Sequence, residues 1–247
     1  MRRTLCVAVT MLASLAGVLV PAAPPQASGI LAGKVVGIDP GHNGRNYTSP
    51  SFMSKQVWNG RAWEDCDTTG TETRGGYAEH AFNWAVANYL AQKLRAAGAK
   101  VVWTRSSDTG LGPCVDQRAR LLNRGHANIS IDIHADGGPT TGRGFAILLP
   151  VADGPNNKVI KSSVRFGGYL RSRMISMARM PVSTYDGSNG FAYRRDLAGL
   201  NLTTEPKVLI ECGNMRNSTD AKLLGSKAWQ LKVADAMASA IVKMLVG

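Results

Sequence analysis

The sequence has few cysteines, few aromatic residues and no long apolar run beyond its amino terminus. Its 247 residues include four cysteines, 11 prolines and 6% aromatic residues, and no segment repeats at a fixed period. This composition excludes small disulfide scaffolds and solenoids. It also excludes multispan membrane proteins, which need several apolar runs of about 20 residues. With 44% apolar residues, the chain can bury the core of one globular domain.

The amino-terminal segment is typical of a secretory signal. Two arginines precede an apolar stretch, residues 5–20, that is shorter than a membrane span of about 20 residues. Small residues that suit cleavage occur at Ala22 and, after a proline-rich tether, at Ala27. We predict that residues 1–27 are a signal peptide and short tether, and that the protein is secreted to the periplasm or cell wall without stable membrane insertion. An uncleaved anchor is the alternative.

Basic residues outnumber acidic residues. There are 29 lysines and arginines against 17 aspartates and glutamates, a formal net charge of +12. This charge favours anionic surroundings, such as a cell envelope rich in carboxylates and phosphates. Nucleic acid is the competing partner, but the basic residues are scattered and no basic run is interleaved with aromatic residues. We therefore predict association with the wall and no binding of nucleic acid.

Three cysteines follow residue 27, which is an odd number for an oxidising compartment. Cys212 lies in an apolar run where strand alternation turns it away from Glu211, which is typical of a buried, unreactive thiol. Cys66 and Cys114 are then the favoured disulfide pair. The alternative that both stay reduced is open, because the sequence does not show that their backbones approach each other.

Short β-branched runs alternate with amphipathic stretches from Lys34 onward. This pattern predicts a single α/β domain over residues 28–247. Strands are predicted at residues 34–38, 100–104, 129–134, 144–150 and 207–212, and helices at 77–97, 116–127, 159–180 and 220–245. We expect a mixed, mostly parallel sheet of about five or six strands flanked by helices.

Two long segments, residues 44–74 and 181–204, show neither a helix nor a strand period. Long connections of this kind inside a domain are usually functional or disordered. The first contains four aromatic residues and Cys66, which favours an ordered flap that either lies over a cleft or serves as a structural wrap. The second contains Arg194 beside aromatic residues and is predicted to form part of a substrate rim.

Four motifs place polar side chains at strand ends or at a helix start. His42 follows the first strand, Glu79 begins the first long helix, and His134 and Glu211 each end an apolar strand. Each has an ordinary alternative: a turn histidine, a helix-capping carboxylate, a buried His–Asp pair and an ion pair with an arginine. Together, two imidazoles and one carboxylate form a ligand set of zinc hydrolases, and the second carboxylate would act as base.

The order and spacing of these motifs resemble the zinc-dependent N-acetylmuramoyl-L-alanine amidases of the type-3, AmiC-like family. The resemblance extends from about Lys34 to the carboxyl terminus. It is carried by DPGHNG at 39–44, Glu79, Thr-Arg at 104–105, the segment 120–128, DIHAD at 132–136 and VLIECGNMRN at 208–217.

This resemblance implies one Zn²⁺ per chain, with His42, Glu79 and His134 as ligands and Glu211 as the general acid/base. It implies that the partner is peptidoglycan or its muropeptide fragments. The bond that is cut is then the amide between the lactyl group of N-acetylmuramic acid and L-alanine of the stem peptide. The protein is expected to be a monomer.

The sequence departs from the family pattern beside two of these residues. Asn43 replaces a glycine, and Asp132 and Asp136 stand where serine and asparagine are common. We predict that Asn43, Asp132, Asp136 and Arg194 contact the substrate or support the zinc ligands. Two other functions are kept as hypotheses: a catalytically silent wall-binding or regulatory protein on the same scaffold, and a zinc peptidase that cuts within the stem peptide.

Overall fold

A six-stranded sheet lies at the centre of the protein, seen in a computed structural model that describes residues 29–247. The predicted signal peptide and tether, residues 1–27, lie outside the described residues. The strands, including those of a separate hairpin, are β1 (Val35–Pro40), β2 (Gln56–Trp58), β3 (Trp63–Asp65), β4 (Lys100–Trp103), β5 (Ile129–Asp136), β6 (Ala146–Pro150), β7 (Phe191–Arg194) and β8 (Lys207–Asn214). The α-helices are α1 (Pro50–Met53), α2 (Glu79–Ala96), α3 (Val115–Arg124), α4 (Ile160–Arg173), α5 (Ala198–Asn201), α6 (Ser218–Leu224) and α7 (Lys227–Val246).

The strand order in the sheet is β4-β1-β5-β8-β6-β7. All neighbouring strands run parallel except β6 and β8, which are antiparallel. The predicted α/β fold with a mixed, mostly parallel sheet is therefore confirmed. Because β1, β5 and β8 are parallel neighbours, their carboxyl ends meet at one edge of the sheet, where ligands usually bind in such folds.

The two faces of the sheet differ because residue types alternate along its strands. In β5, Ile129, Ile131 and Ile133 are fully buried in the main apolar core, together with residues of α2 and α7. The residues between them face the side that α3 and α5 cover. The apolar cluster on that side is small and includes Leu148 and Leu200, so charged groups fill much of the remaining space.

Two predicted helices differ from the structure. The helix predicted over residues 159–180 is α4 followed by one π-helical turn, Met174–Ala178. The helix predicted over residues 220–245 is two helices, α6 and α7. The helix is interrupted between them because Ser226 caps the start of a new helix. Its side chain accepts a hydrogen bond from the backbone N–H of Trp229.

Two short elements, β7 and α5, lie within residues 181–204, where the sequence predicts no regular structure. Each has four residues, which is too short for a hydrophobic period to be recognised. β7 forms the sixth strand and places Arg194 at the edge of the sheet. None of the described helices combines the length and the apolar character that a membrane crossing requires.

Residues 44–74 contain α1 and the β2–β3 hairpin. A disulfide joins Cys66, just after the hairpin, to Cys114, just before α3, so the predicted bridge is confirmed. Cys212 is buried and has no disulfide partner among residues 29–247, also as predicted. The bridge spans 48 residues of sequence, and closing a loop of that length stabilises the fold by about 4 kcal/mol, mainly by restricting the unfolded chain.

Candidate metal centre

Three side chains from separate elements converge at the carboxyl edge of the sheet. His42 follows β1, His134 lies in β5, and Glu79 is the first residue of α2. One ligand atom from each lies within 4.8 Å of the others. Nε2 of His42 is 3.2 Å from Oε2 of Glu79, and Nδ1 of His134 is 2.8 Å from Oε1 of Glu79. The structure therefore brings together the three residues that the sequence predicts as ligands.

The turn after β1 adopts an unusual backbone so that both imidazoles fit. A Cβ atom at Gly41 would lie 2.1 Å from the ring of His134, so only glycine allows this approach. His42 has a φ of 59°, a left-handed conformation that is uncommon for residues other than glycine. Arg118 holds this turn, since its Nη2 donates to the His42 carbonyl at 2.9 Å. Strained backbone of this kind is often found at functional sites.

The carboxylate of Glu79 makes most of its contacts outside its own helix, within which the side chain of Asn83 donates to Oε1 at 3.4 Å. Its Oε2 accepts a hydrogen bond from the backbone N–H of Thr71 at 3.0 Å, and its Oε1 accepts one from Ala135 at 3.2 Å. Burial acts to raise the pKa of Glu79, but the neighbouring His42 and His134 outweigh burial and hold that pKa well below its usual value. These contacts differ from those of a helix cap, in which the carboxylate accepts from its own first turn.

Each imidazole faces a carboxylate on the side away from Glu79. Nδ1 of His42 is 3.2 Å from Oδ1 of Asp67, and Nε2 of His134 is 3.2 Å from Oδ1 of Asp132. Burial lowers the pKa of His42, but Glu79 and Asp67 raise it to about 9. The pKa of His134 is raised well above its usual value against the same effect of burial, chiefly by Asp132. The pocket thus favours positive charge between the two rings.

This donor set fits a zinc ion. Zinc–nitrogen and zinc–oxygen bonds of about 2.0–2.2 Å in tetrahedral geometry separate neighbouring ligand atoms by about 3.4 Å. His42 lies 3.2 Å from Oε2 and His134 2.8 Å from Oε1 of Glu79, both within about 0.6 Å of that value, and one ligand atom from each residue lies within 4.8 Å of the others. The carboxylates behind the histidines match the outer partners that usually orient metal-binding imidazoles.

Glu211 lies beside this group on the adjacent strand. Its Cα pairs in register with that of His134. The residue is partly exposed, yet its Oε2 is buried and has no hydrogen-bond partner among residues 29–247. Desolvation, with a contribution from Glu79, raises the pKa of Glu211 to about 8. An unpaired carboxyl group next to a metal pocket is suited to carrying a proton.

Two further predicted residues lie close to the ligand group. Asp132 contacts His134 through Oδ1, and its Oδ2 is 3.6 Å from Nζ of Lys207. Asp136 accepts a hydrogen bond from the backbone N–H of Gly137 at 2.7 Å. Burial raises the pKa of Tyr185, and the neighbouring carboxylate of Asp136 raises it further.

The other two predicted residues make different contacts. Asn43 donates to the carbonyl of Gly112 at 2.8 Å and accepts from the backbone N–H of Gly110 at 3.0 Å. It therefore fixes the loop before α3, and none of these bonds reaches the ligand group. Arg194 forms two hydrogen bonds with Asp196, of 2.8 and 2.5 Å, at the edge of the sheet.

Residues 67–71 contribute to the site, although no sequence pattern identifies them. Asp67 contacts His42, and the backbone of Thr71 contacts Glu79. A Cβ atom at Gly70 would lie 2.8 Å from both Glu79 and His42. The second part of the flap thus forms one wall of the pocket, rather than a cover that can be removed. The one available signal was the position of Asp67 directly after a predicted disulfide cysteine.

A cavity opens beside the two histidines on the α3 and α5 side of the sheet. Its lining combines the two histidines with apolar side chains from β8 and from in and just before α5, and with two acidic residues of the hairpin. The lining includes His42, His134, Leu197, Leu200, Leu209, Glu64 and Asp65. A substrate that occupies this cavity would be in contact with both histidines.

A mostly parallel sheet with two imidazoles, a carboxylate and an unpaired acid at its carboxyl edge defines a candidate metallohydrolase. A family model described as N-acetylmuramoyl-L-alanine amidase matches residues 36–243. The chain belongs to this amidase family, so the predicted family and enzyme class are confirmed.

Individual relatives agree with this assignment. The chain is 38% identical over 244 residues to the N-acetylmuramoyl-L-alanine amidase Rv3717 of Mycobacterium tuberculosis, a match that covers 94% of this chain and 97% of that protein. The structure is similar to that of the amidase Ami1 from Mycobacterium smegmatis, with 40% identity, a TM-score of 0.82 and coverage of 88% and 99% of the two chains. Ami1 from Mycobacterium abscessus gives 40% identity, a TM-score of 0.81 and coverage of 87% and 99%.

Proposed function

We propose that the protein is a zinc-dependent enzyme that hydrolyses the amide bond between the lactyl group of N-acetylmuramic acid and L-alanine of the peptidoglycan stem peptide. The observation that carries this proposal is the convergence of His42, Glu79 and His134 beside the unpaired acid Glu211. Membership of the amidase family supports the choice of bond.

The residues of the site have distinct roles in this proposal. Nε2 of His42, Nδ1 of His134 and one oxygen of Glu79 would hold the ion. A zinc ion held there would lower the pKa of a bound water to about 7 and would polarise the substrate carbonyl. Glu211 would accept the proton of the attacking water and return it to the nitrogen of the leaving L-alanine.

The environment of Glu211 suits this proton transfer. Its pKa of about 8 is set by burial, and a neighbouring divalent cation acts in the opposite direction. Burial therefore favours the protonated carboxyl group, and a bound divalent cation would favour the ionised one. A group of this kind can both accept and return a proton during one catalytic cycle.

We also propose that the enzyme is exported through residues 1–27 and acts on the wall as a monomer. The net charge of +12 supports attraction to an anionic wall. The relatives reported above are amidases of similar length, which supports a role on the same polymer.

Mass analysis of digested muropeptides tests the proposed bond. We expect free stem peptides that begin with L-alanine, intact glycan, and about one zinc ion per chain by metal analysis. A zinc chelator should abolish cleavage, and added Zn²⁺ should restore it. Cleavage between two stem residues would support the peptidase hypothesis instead. Wall binding without new amino termini would support the catalytically silent one.

The β2–β3 hairpin is proposed to limit access to the site. Glu64 and Asp65 line the cavity, and Arg61 anchors the hairpin through its ion pair with Asp153 at 3.0 Å. Replacing residues 57–64 by a short Gly-Ser linker should raise kcat/KM on small muropeptides several-fold, because the cavity becomes more open. Steady-state kinetics on one purified muropeptide measures the change.

Two further variants control for other effects of the flap. Arg61→Ala, which removes only the anchor, should raise the rate in the same direction by a smaller factor. A deletion that includes residues 67–71 should instead lower the rate, because Asp67 and Thr71 contact the ligand group. An unchanged or lower rate in the linker variant would contradict occlusion and favour a structural wrap.

A further inference from the structure

Five buried charged side chains connect the two histidines on the α3 and α5 side of the sheet. We call them the charged chain; in order, they are Asp67, Arg118, Asp39, Lys207 and Asp132. The links are Arg118 Nη2 to Asp67 Oδ2 at 3.2 Å, Arg118 Nη1 to Asp39 Oδ1 at 3.1 Å, Lys207 Nζ to Asp39 Oδ2 at 2.7 Å, and Lys207 Nζ to Asp132 Oδ2 at 3.6 Å. The side chains of Asp39 and Lys207 are each 1% exposed. The charged chain is thus continuous, and its central residues are almost inaccessible to solvent.

Stability alone is a weak reason for this arrangement. Removing an ion from water costs several kcal/mol, and apolar residues of similar size often stabilise a core as well as a buried ion pair does. Although burial opposes its ionisation, Lys207 and Arg118 hold the pKa of Asp39 well below its usual value. Asp39, between two cations, therefore stays ionised. A persistent buried chain of charges that ends at two candidate ligands points to a role at those ligands.

At each end of the charged chain, one carboxylate oxygen faces a cation and the other faces an imidazole nitrogen. Arg118 contacts Oδ2 of Asp67, which leaves Oδ1 facing Nδ1 of His42 at 3.2 Å. Lys207 lies near Oδ2 of Asp132, which leaves Oδ1 facing Nε2 of His134 at 3.2 Å. Among residues 29–247, Oδ1 of Asp132 has no hydrogen-bond partner, and Nε2 of His134 is the ring nitrogen that it faces. Oδ1 of Asp67 accepts from the backbone N–H of Thr68 at 2.7 Å in addition to its contact with His42. A carboxylate oxygen requires an N–H from the nitrogen that it faces.

We propose that the charged chain fixes opposite tautomers in the two histidines, Nδ1–H in His42 and Nε2–H in His134. The lone pairs of Nε2 in His42 and Nδ1 in His134 then point toward Glu79 and the metal ion. Asp39 and Lys207 contact neither imidazole, so they act as positioning residues through the carboxylates at the two ends. This inference rests on the proposed zinc site.

The tautomers can be measured in the unaltered protein. With ¹⁵N-labelled histidine, long-range ¹H–¹⁵N spectra of the zinc-loaded enzyme identify the bound nitrogen of each ring, and the sequence contains only four histidines. We expect His42 to bind through Nε2 and His134 through Nδ1. Binding of both rings through the same nitrogen would overturn the inference. Failure of the wild-type protein to bind zinc at all would instead overturn the proposed function.

The role of Lys207 is tested by zinc affinity of the folded protein. Lys207→Met should weaken zinc binding by about 10- to 100-fold, the range found for outer partners of metal ligands. The measurement is competition with a chromogenic chelator, with circular dichroism as the check on folding. Lys93→Met is the matched control, because Lys93 pairs with Asp235 at 2.6 Å on the partly exposed surface of α2 and α7. Its zinc affinity should equal that of the wild type.

A double-mutant cycle separates positioning from general destabilisation. If Lys207 acts through Asp132, adding Lys207→Met to Asp132→Asn should weaken zinc binding little further. Losses that add fully would show that Lys207 is only structural and would overturn its role. Should Lys207→Met fail to fold, Lys207→Gln, which removes the charge but keeps a donor, takes its place in the same cycle.

Discussion

Replacing Glu211 by glutamine should lower kcat for muropeptide hydrolysis by about 10²- to 10⁴-fold, the usual contribution of a general acid/base. Glutamine has nearly the same size but cannot accept the proton of the attacking water. Zinc content should stay close to that of the wild type, since Glu211 is not among the three groups that converge on one point. Initial rates and metal analysis of the same preparation measure both quantities.

A second buried glutamate provides the matched control for this variant. Glu205 is 5% exposed and accepts a hydrogen bond from Ser130 at 2.8 Å, at the opposite end of β8. Glu205→Gln should therefore hydrolyse muropeptides at nearly the wild-type rate. Wild-type activity in Glu211→Gln would contradict the assigned role. Loss of zinc from that variant would show that Glu211 helps to hold the ion, and would contradict a role limited to proton transfer.

The three predicted zinc ligands and Glu211 could be identified from the sequence because the fold brings strand ends to one edge of the sheet. His42, His134 and Glu211 each stand near the carboxyl end of a predicted strand, and Glu79 begins a helix. In a parallel sheet these ends share one edge, so residues remote in sequence become neighbours. The alternation in β5 also predicts that His134 leaves the apolar core, because its isoleucines occupy the other face.

The support around these residues could not be predicted in the same way. Asp67 and Thr71 lie in a segment without any period, so the path that brings them to the ligand group is invisible before folding. The links from Asp39 to Arg118 and Lys207 span 79 and 168 residues of sequence, and no local pattern marks such partners. The hydrophobic period of a segment shows which face of one helix or strand is buried. These contacts depend instead on how several helices and strands pack together.

From the sequence alone, Glu79 could be a helix-capping residue instead of a zinc ligand. A cap of this kind contributes about 0.3–1 kcal/mol to stability and has no effect on metal binding. The structure instead directs the carboxylate to Thr71, Ala135 and the two histidines. Glu79→Gln should therefore weaken zinc binding by more than about 100-fold, beyond the loss usual for outer partners of ligands. Hydrolysis should fall to the level of the chelated enzyme.

An acidic residue in the first turn of another helix shows what a capping carboxylate does. Asp116 lies in the first turn of α3, where its Oδ1 accepts from the backbone N–H of Gln117 at 2.8 Å and its Oδ2 pairs with Arg120. Asp116→Asn should lower the unfolding free energy by up to about 1 kcal/mol and leave zinc affinity unchanged. If Glu79→Gln behaved like Asp116→Asn in both urea unfolding and zinc titration, Glu79 would be a cap. Two imidazoles would then lack the carboxylate that makes their pocket a zinc site.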